Sequence, residues 1–355
     1  IKPQEVTALK ALGAMQSANA EHVVAIDGLA VIIHPNNPLA QLSVNVIAEI
    51  FGGKINNWRD LGGPDRAINI YARDDQSGTF DTFKSLVLGK QFTLTPTAQR
   101  FESNDELSDR VANDIAGIGF VGLASVRKAK ALAVSAGDAK ALKPEVIYVA
   151  TEDYPLSRRL YMYTPEVIHR PVVAEFITFT QASIGQKIVE SIGFVSQNPK
   201  TSKIQLTSGP SQYQALSKYA DRLSVNFRFQ PGRADLDNKA LQDIKRLAHF
   251  VIEQTDQNMN IQLVGFSNTE LTQKRAQVLS RLRATAVKSA LYRYGVRTDS
   301  VIGFGDTLRV ADDEGTTAIK NERVEVWVYP SALVNEVNHI REQASTDQLI
   351  SVFSP

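Results

Sequence analysis

A single lapse of pattern, from residue 198 to residue 212, constrains this chain more than any other feature in it. Asn, Pro, Lys, Ser, Thr and Gly there replace the apolar periodicity found on either side, which reads as a linker. At 355 residues the chain is long for one core, so two domains are expected. Both flanks alternate short apolar runs with helical patterns, the signature of α/β architecture. No run of eighteen apolar residues occurs, the length a membrane-spanning helix needs. The chain has no cysteine, which removes disulfides, thiolate metal sites and cysteine nucleophiles together. A net charge of +1 argues against a dedicated nucleic-acid binder. Residues 1–5 lack the basic and apolar regions of a signal peptide, and the chain reads as a mature fragment.

In the first half, residues 23–33 hold two apolar runs split by Asp27-Gly28. Ser43 is placed to cap a helix carrying Val44, Ile47 and Phe51, with Gly52-Gly53 as its stop. Residues 67–72 read as a strand, followed by a polar turn and a helix over 79–87. Residues 145–150 read as another strand, and 172–192 as one long helix ended by Gly193. In the second half, 223–229 alternates as a strand and 241–253 has apolar residues at helical spacing. Strands at 261–264, 301–304 and 324–329 and a helix over 276–294 complete it. The stretch 334–343 is helix-capable but carries no clear core.

Chemistry concentrates in Arg73-Asp74-Asp75-Gln76-Ser77-Gly78-Thr79-Phe80, set between a strand and a helix. Ser77 and Thr79 offer hydroxyls beside the unpaired N–H groups and positive end of a helix, an arrangement that favours an oxyanion. Gly78 admits the anion close to the backbone. Arg73 supplies a planar donor fork, and Asp75 is placed to hold it. The same string also reads as a capped helix after a polar turn, with Arg73 and Asp75 a solvated pair. Other signals lead nowhere. Gly117-Ile118-Gly119-Phe120-Val121-Gly122 matches a dinucleotide pattern, but it lies inside an apolar run after a helix-like stretch, the wrong order. The five histidines show no metal-ligand spacing, and no G-x-S-x-G elbow surrounds Ser77. No catalytic residue, metal site or cofactor is assigned.

Wider blocks carry a resemblance. Asp27-Gly28-Leu29-Ala30-Val31-Ile32-Ile33-His34-Pro35, Ile50-Phe51-Gly52-Gly53-Lys54-Ile55-Asn56-Asn57-Trp58 and the Arg73 to Phe80 segment come first. Tyr154-Pro155-Leu156-Ser157-Arg158 and Gly193-Phe194-Val195 follow in order. Together they resemble the phosphate-binding proteins of the PstS family. That resemblance implies a module over 1–200, of two α/β lobes closing on an oxyanion, the second lobe at about 66–150. It implies ligand contacts at Arg73, Ser77, Gly78 and Thr79, with Asp75 orienting the arginine. Gln76 stands where the family usually has glycine. Residues 1–6 look like the segment after the family's third strand, so its earlier anion loops and proton-accepting aspartate belong upstream. The first lobe is expected to be incomplete in this sequence.

The second half resembles the C-terminal domain of the OmpA family, through Leu223 to Phe229, Ala234-Asp235-Leu236, Gly265-Phe266-Ser267-Asn268, Leu279 to Ala284, Gly303-Phe304-Gly305 and Asn321 to Val326. This implies an α/β sandwich at 216–331 after a linker at 201–215, with a tail at 332–355. The family grips the diaminopimelate of cell-wall peptide with an aspartate and an arginine. Arg283 matches the arginine, Asn268 stands in the aspartate's place, and Arg323 belongs to the N-x-R motif. The resemblances imply a non-enzymatic protein of the Gram-negative periplasm. Its partners would be inorganic phosphate or a similar oxyanion, peptidoglycan, and an ABC transporter permease. The alternative is a ligand-degenerate periplasmic scaffold or sensor; a phosphatase on the same fold lacks any nucleophile or metal set.

Overall fold

The computed structural model describes residues 1–230, 233, 235–254, 259–268, 272–299, 301–312, 315–340 and 342–343. After helix α1 (Pro3–Ala8), the chain enters β1 (Glu21–Ile33), thirteen residues long. Its two apolar runs form one continuous strand, buried on nearly every residue, because it is shared by two sheets. Then come β2 (Gln41–Ser43), α2 (Val44–Phe51), β3 (Asn69–Arg73), α3 (Gly78–Phe83), β4 (Gln99–Phe101) and α4 (Asn104–Ala112). β5 (Gly117–Gly122), β6 (Lys130–Ala131), β7 (Ala133–Ser135), α5 (Val146–Ala150), β8 (Ser157–Tyr163), α6 (Pro171–Gln181) and α7 (Ser183–Ser191) complete this half. The first part of β1 pairs antiparallel with β8, from Glu21 opposite Tyr163 to Gly28 opposite Ser157. Its last five residues pair with β5 instead, in a sheet ordered β4-β3-β5-β1-β6. Gly28 marks the crossing: a Cβ there would lie 2.8 Å from a Val149 methyl of α5, closer than real contacts allow.

Capping follows the sequence at α2, where the Ser43 hydroxyl accepts from the Val46 N–H. Two expectations fail. Residues 145–150 hold the five-residue helix α5 with Glu145 at its N-cap, rather than a strand, because a short apolar run does not reveal its own period. The long helix over 172–192 is two helices, broken where Ala182 is extended at φ −74° and ψ 160°. Gly185 accommodates the break, since a Cβ there would lie 2.1 Å from the Phe179 carbonyl oxygen at the end of α6.

The second half holds β9 (Thr201–Ser202), α8 (Ser211–Tyr219), β10 (Asp221–Arg228), α9 (Asn238–Glu253), β11 (Met259–Gly265), α10 (Gln273–Tyr292), β12 (Ile302–Gly303) and β13 (Arg323–Pro330). The sheet order is β12-β11-β13-β10-β9, with only β11 and β12 parallel. One face packs Leu223, Val225, Phe227, Val324, Val326 and Val328 against α9 and α10. Gly265 permits close approach of α10, since a Cβ there would meet the Ser280 carbonyl at 2.0 Å. The segment read as a linker is partly structured: Thr201 and Ser202 extend the sheet beside Leu223 and Arg222, and α8 buries Tyr213 and Leu216. Backbone pairing alone makes β9, so no apolar pattern announces it. Residues 334–340 are helical and bury Val337 against Trp327 and Tyr329, so this part of the tail contributes to the core. Residues 344–355 and Ala234 lie outside the described residues. Among the described residues no helix is long and apolar enough to cross a membrane.

The opposite face of β10 and β13 is charged, and it meets the first half. Strand residues alternate between faces, so Arg222, Asn226 and Arg228 point away from the apolar core, as do Arg323 and Glu325. They surround the turn Thr151-Glu152-Asp153 between α5 and β8. Asp153 is 1% exposed, and its carboxylate lies 2.6 Å from Arg222 Nη2, 2.9 Å from Arg228 Nη2 and 3.8 Å from Arg323 Nε. Asn226 Nδ2 and the Thr151 hydroxyl also donate to it, at 2.9 and 3.1 Å. Glu152, in the left-handed region at φ 61°, pairs with Arg159 at 2.9 Å, and Arg159 reaches Asp237 of the second half at 2.8 Å. Burial works against ionising both acids, yet the surrounding cations hold each at about 2, below the ordinary range. The two halves are therefore not the loosely joined units that a linker would imply.

Removing one partner of such a buried cluster leaves uncompensated charge, at a cost of about 3–5 kcal/mol. Asp153→Ala is expected to lose that much by urea unfolding at neutral pH. A depressed folded-state pKa contributes stability above the unfolded value near 4, and that contribution is lost as pH falls towards 2. The deficit of the variant should therefore shrink between pH 4 and pH 2.

Candidate functional site

β3 ends at Arg73, where the chain must turn before α3. Asp74 makes that turn: its N–H donates to the Phe101 carbonyl, and its carboxylate accepts from the Gln76 N–H at 2.9 Å. Ser77 then caps α3, its hydroxyl accepting from the Thr79 N–H at 3.2 Å. Ser77 is buried, Thr79 half-buried and Gly78 exposed, so the helix start opens to solvent at the glycine. Phe80 and Phe83 fix this helix from below, Phe83 stacked on Phe120 of β5 with centroids 3.9 Å apart. The helix continues through Lys84–Leu88 as a π-helical turn. The turn thus stands on a rigid base rather than on a free loop.

Arg73 is 12% exposed and latched to backbone. Its Nε donates to the Phe101 carbonyl at 3.2 Å and its Nη2 to the Glu102 carbonyl, with Asp74 at 3.5 Å. Asp75 does not orient it. That carboxylate, 81% exposed, pairs with Arg100, whose guanidinium lies over the Phe80 ring at 4.2 Å. Backbone carbonyls of 101 and 102 take the orienting role, which β3–β4 pairing brings within reach. Ser77, Gly78 and Thr79 thus share one turn, Arg73 ends the strand that leads to it with its guanidinium held by the 101 and 102 carbonyls, and Asp75 pairs with Arg100 instead.

Sequence reasoning assigned no role to two further groups. Asp27 lies at the crossing of β1, buried, and directly opposite Arg158 of β8. Nε and Nη2 of Arg158 both lie 3.1 Å from Asp27 Oδ2. Burial pushes the Asp27 carboxyl up, and Arg158 acts against that shift. Arg158 also faces the Ser77–Thr79 turn, its Nη2 3.8 Å from where a Cβ on Gly78 would stand. The signal in the sequence was Asp27 interrupting an apolar run, but its partner 131 residues away appears only once the strand register is known.

In the second half Arg283 is buried on α10. Its Nη1 donates to Ser267 Oγ at 3.3 Å, beside Asn268, and its guanidinium lies 5.3 Å from the Phe229 ring centroid. Its Nη2 is paired with the buried Glu322 carboxylate. Arg323 is on the other side of the sheet: it binds Glu325 at 3.0 Å, covers the Phe266 ring at 3.9 Å and approaches Asp153. Arg283 thus reaches the residue that precedes Asn268, whereas Arg323 belongs to the contact between the halves. Glu322 lies at the bend just before β13 and Arg323 opens the strand, and the two side chains turn to different partners.

Residues 3–183 match the family described as "PBP superfamily domain". The chain belongs to it. This PBP-superfamily chain has a periplasmic-binding fold of the PstS kind in its first half and an OmpA family domain at residues 228–323. It is 30% identical over 181 residues to the phosphate-binding protein PstS of Borreliella burgdorferi, covering 49% of this chain and 65% of that protein. It is 32% identical over 207 residues to Protein SphX of Synechococcus elongatus, covering 55% and 60%. The chain thus spans less than two thirds of the length of these curated relatives. A possible phosphate binding protein from Planctomyces limnophilus, known by crystal structure, aligns with 31% identity and a TM-score of 0.47, covering 55% of this chain and 72% of that one.

The Arg283–Glu322 pair is buried, so breaking it costs about 3–5 kcal/mol. Arg283→Ala should lose that in urea unfolding, and Glu322→Ala in the same background should recover part of it. A double-mutant cycle showing no coupling would contradict the pair.

Proposed function

We propose that the first half of this chain binds inorganic phosphate or a closely similar oxyanion at the Ser77–Thr79 turn. The observation that carries this is an exposed Gly78 between two hydroxyl-bearing residues at a helix start, with Arg73 fixed beside it. Backbone N–H groups and a planar guanidinium suit tetrahedral oxyanions. The names of the relatives, phosphate-binding proteins, support binding rather than hydrolysis. On this reading the protein works in the periplasm, captures phosphate and delivers it to a transporter permease. Losing a hydrogen bond to a charged ligand costs ~1.5–3 kcal/mol. Arg73→Ala should therefore weaken phosphate binding roughly tenfold or more in a calorimetric titration. Unchanged affinity would remove Arg73 from the site.

The OmpA-like half supports a tether to peptidoglycan, but with its pocket filled from within. Glu322 supplies Arg283 with a carboxylate where the family's ligand carboxylate would bind, and Asn268 lacks the charge that would meet an ammonium. Purified sacculi containing diaminopimelate should retain the wild-type chain weakly. Asn268→Asp and Glu322→Gln should each raise retention several-fold. Equal retention of all three forms would favour a scaffold that has lost its wall ligand.

A further inference from the structure

We propose that Arg158, positioned by Asp27, is a second cationic contact for the anion held at the Ser77–Thr79 turn. This deepens the phosphate reading and rests on it. Arg158 comes from β8, a strand remote in sequence from the turn, and its Nη2 lies 3.8 Å from where a Cβ on Gly78 would stand. A guanidinium has five N–H donors. Asp27 takes the side-on pair, Nε and one hydrogen of Nη2, with a single oxygen. That engagement leaves the end-on fork of Nη1 and Nη2 for another acceptor, and Nη2 is the atom that lies next to Gly78. The Arg158 side chain is 32% exposed, open enough for a small anion to reach.

The Asp27 carboxylate has the character of an orienting group. It is buried in the middle of a strand, where only a partner justifies an ionised acid. Its ionisation depends on Arg158 in turn, so the two act as a unit. Phosphate at neutral pH carries more than one negative charge, and Arg73 alone supplies one positive charge at the turn. Arg158 supplies the second. An adjacent glycine, rather than a side chain, leaves the space between Arg158 and the N–H groups of the helix start for the ligand.

The test is calorimetric titration of the full chain with inorganic phosphate at two ionic strengths, with thermal melts as a folding control. Asp27→Asn combined with Arg158→Gln keeps a hydrogen bond across β1 and β8 but removes both charges. It should bind phosphate at least tenfold more weakly, and with less dependence on salt, because one cation no longer faces the ligand. Affinity within twofold of the wild type, with the same salt dependence, would overturn the proposal. If the double variant melts at room temperature, Arg158→Lys decides instead: it keeps the charge pair and loses the planar fork. A several-fold loss supports the contact, and unchanged affinity overturns it. A wild-type chain that binds no phosphate would sink the site reading and this proposal with it. Loss in Arg73→Ala but not in the Arg158 variants would leave the site standing and remove only Arg158.

Discussion

Asp153 is a carboxylate taken out of water and met by guanidinium groups from the far half of the chain. Three of them, Arg222, Arg228 and Arg323, lie on the polar face of a sheet whose other face is apolar and covered by its own helices. Without the acidic turn, that polar face would carry an excess of buried positive charge, since Glu325 is the acid left beside it. With it, each charge has a partner, and the geometry of those partners fixes where the second half must sit. Buried ion pairs add less net stability than apolar packing would, but they tolerate few alternative arrangements. The contact therefore specifies a docking position more than it adds affinity.

The same turn leads directly into β8, and the first residues of that strand divide the work. Arg159 faces Glu152 and Asp237 at the junction. Arg158, its neighbour, faces Asp27 and the Ser77–Thr79 turn. Alternation along a strand lets two successive arginines serve two sites without competing for one acceptor. A comparable division occurs at Glu322 and Arg323, one turned to Arg283 and the other to the junction. Charge is thus placed by strand geometry.

Much of this was legible in the residues. The apolar stripe of α9, the alternation of β10 and the Ser43 and Ser77 caps come from local pattern, and local pattern is what a sequence displays. The residues of the proposed anion turn could be named for the same reason: Arg73, Ser77, Gly78 and Thr79 lie within one seven-residue stretch. What could not be read depends on register and docking. Asp27 meets Arg158 only through pairing of two distant strands, and Arg73 is oriented by carbonyls of a neighbouring strand rather than by the nearby Asp75. Arg323 sat in a family motif, yet its face of the strand points to Asp153. The stretch after Asn198 read as a linker because two residues of edge strand need backbone partners and no apolar side chains.

The central claim is that the two halves form one cooperative body that carries a phosphate site. Differential scanning calorimetry at neutral pH, with and without phosphate, tests it most directly. One transition is predicted, with calorimetric and van't Hoff enthalpies in agreement, and phosphate should move the whole of it to higher temperature. Two separate transitions, or a single one that phosphate leaves in place, would contradict the account.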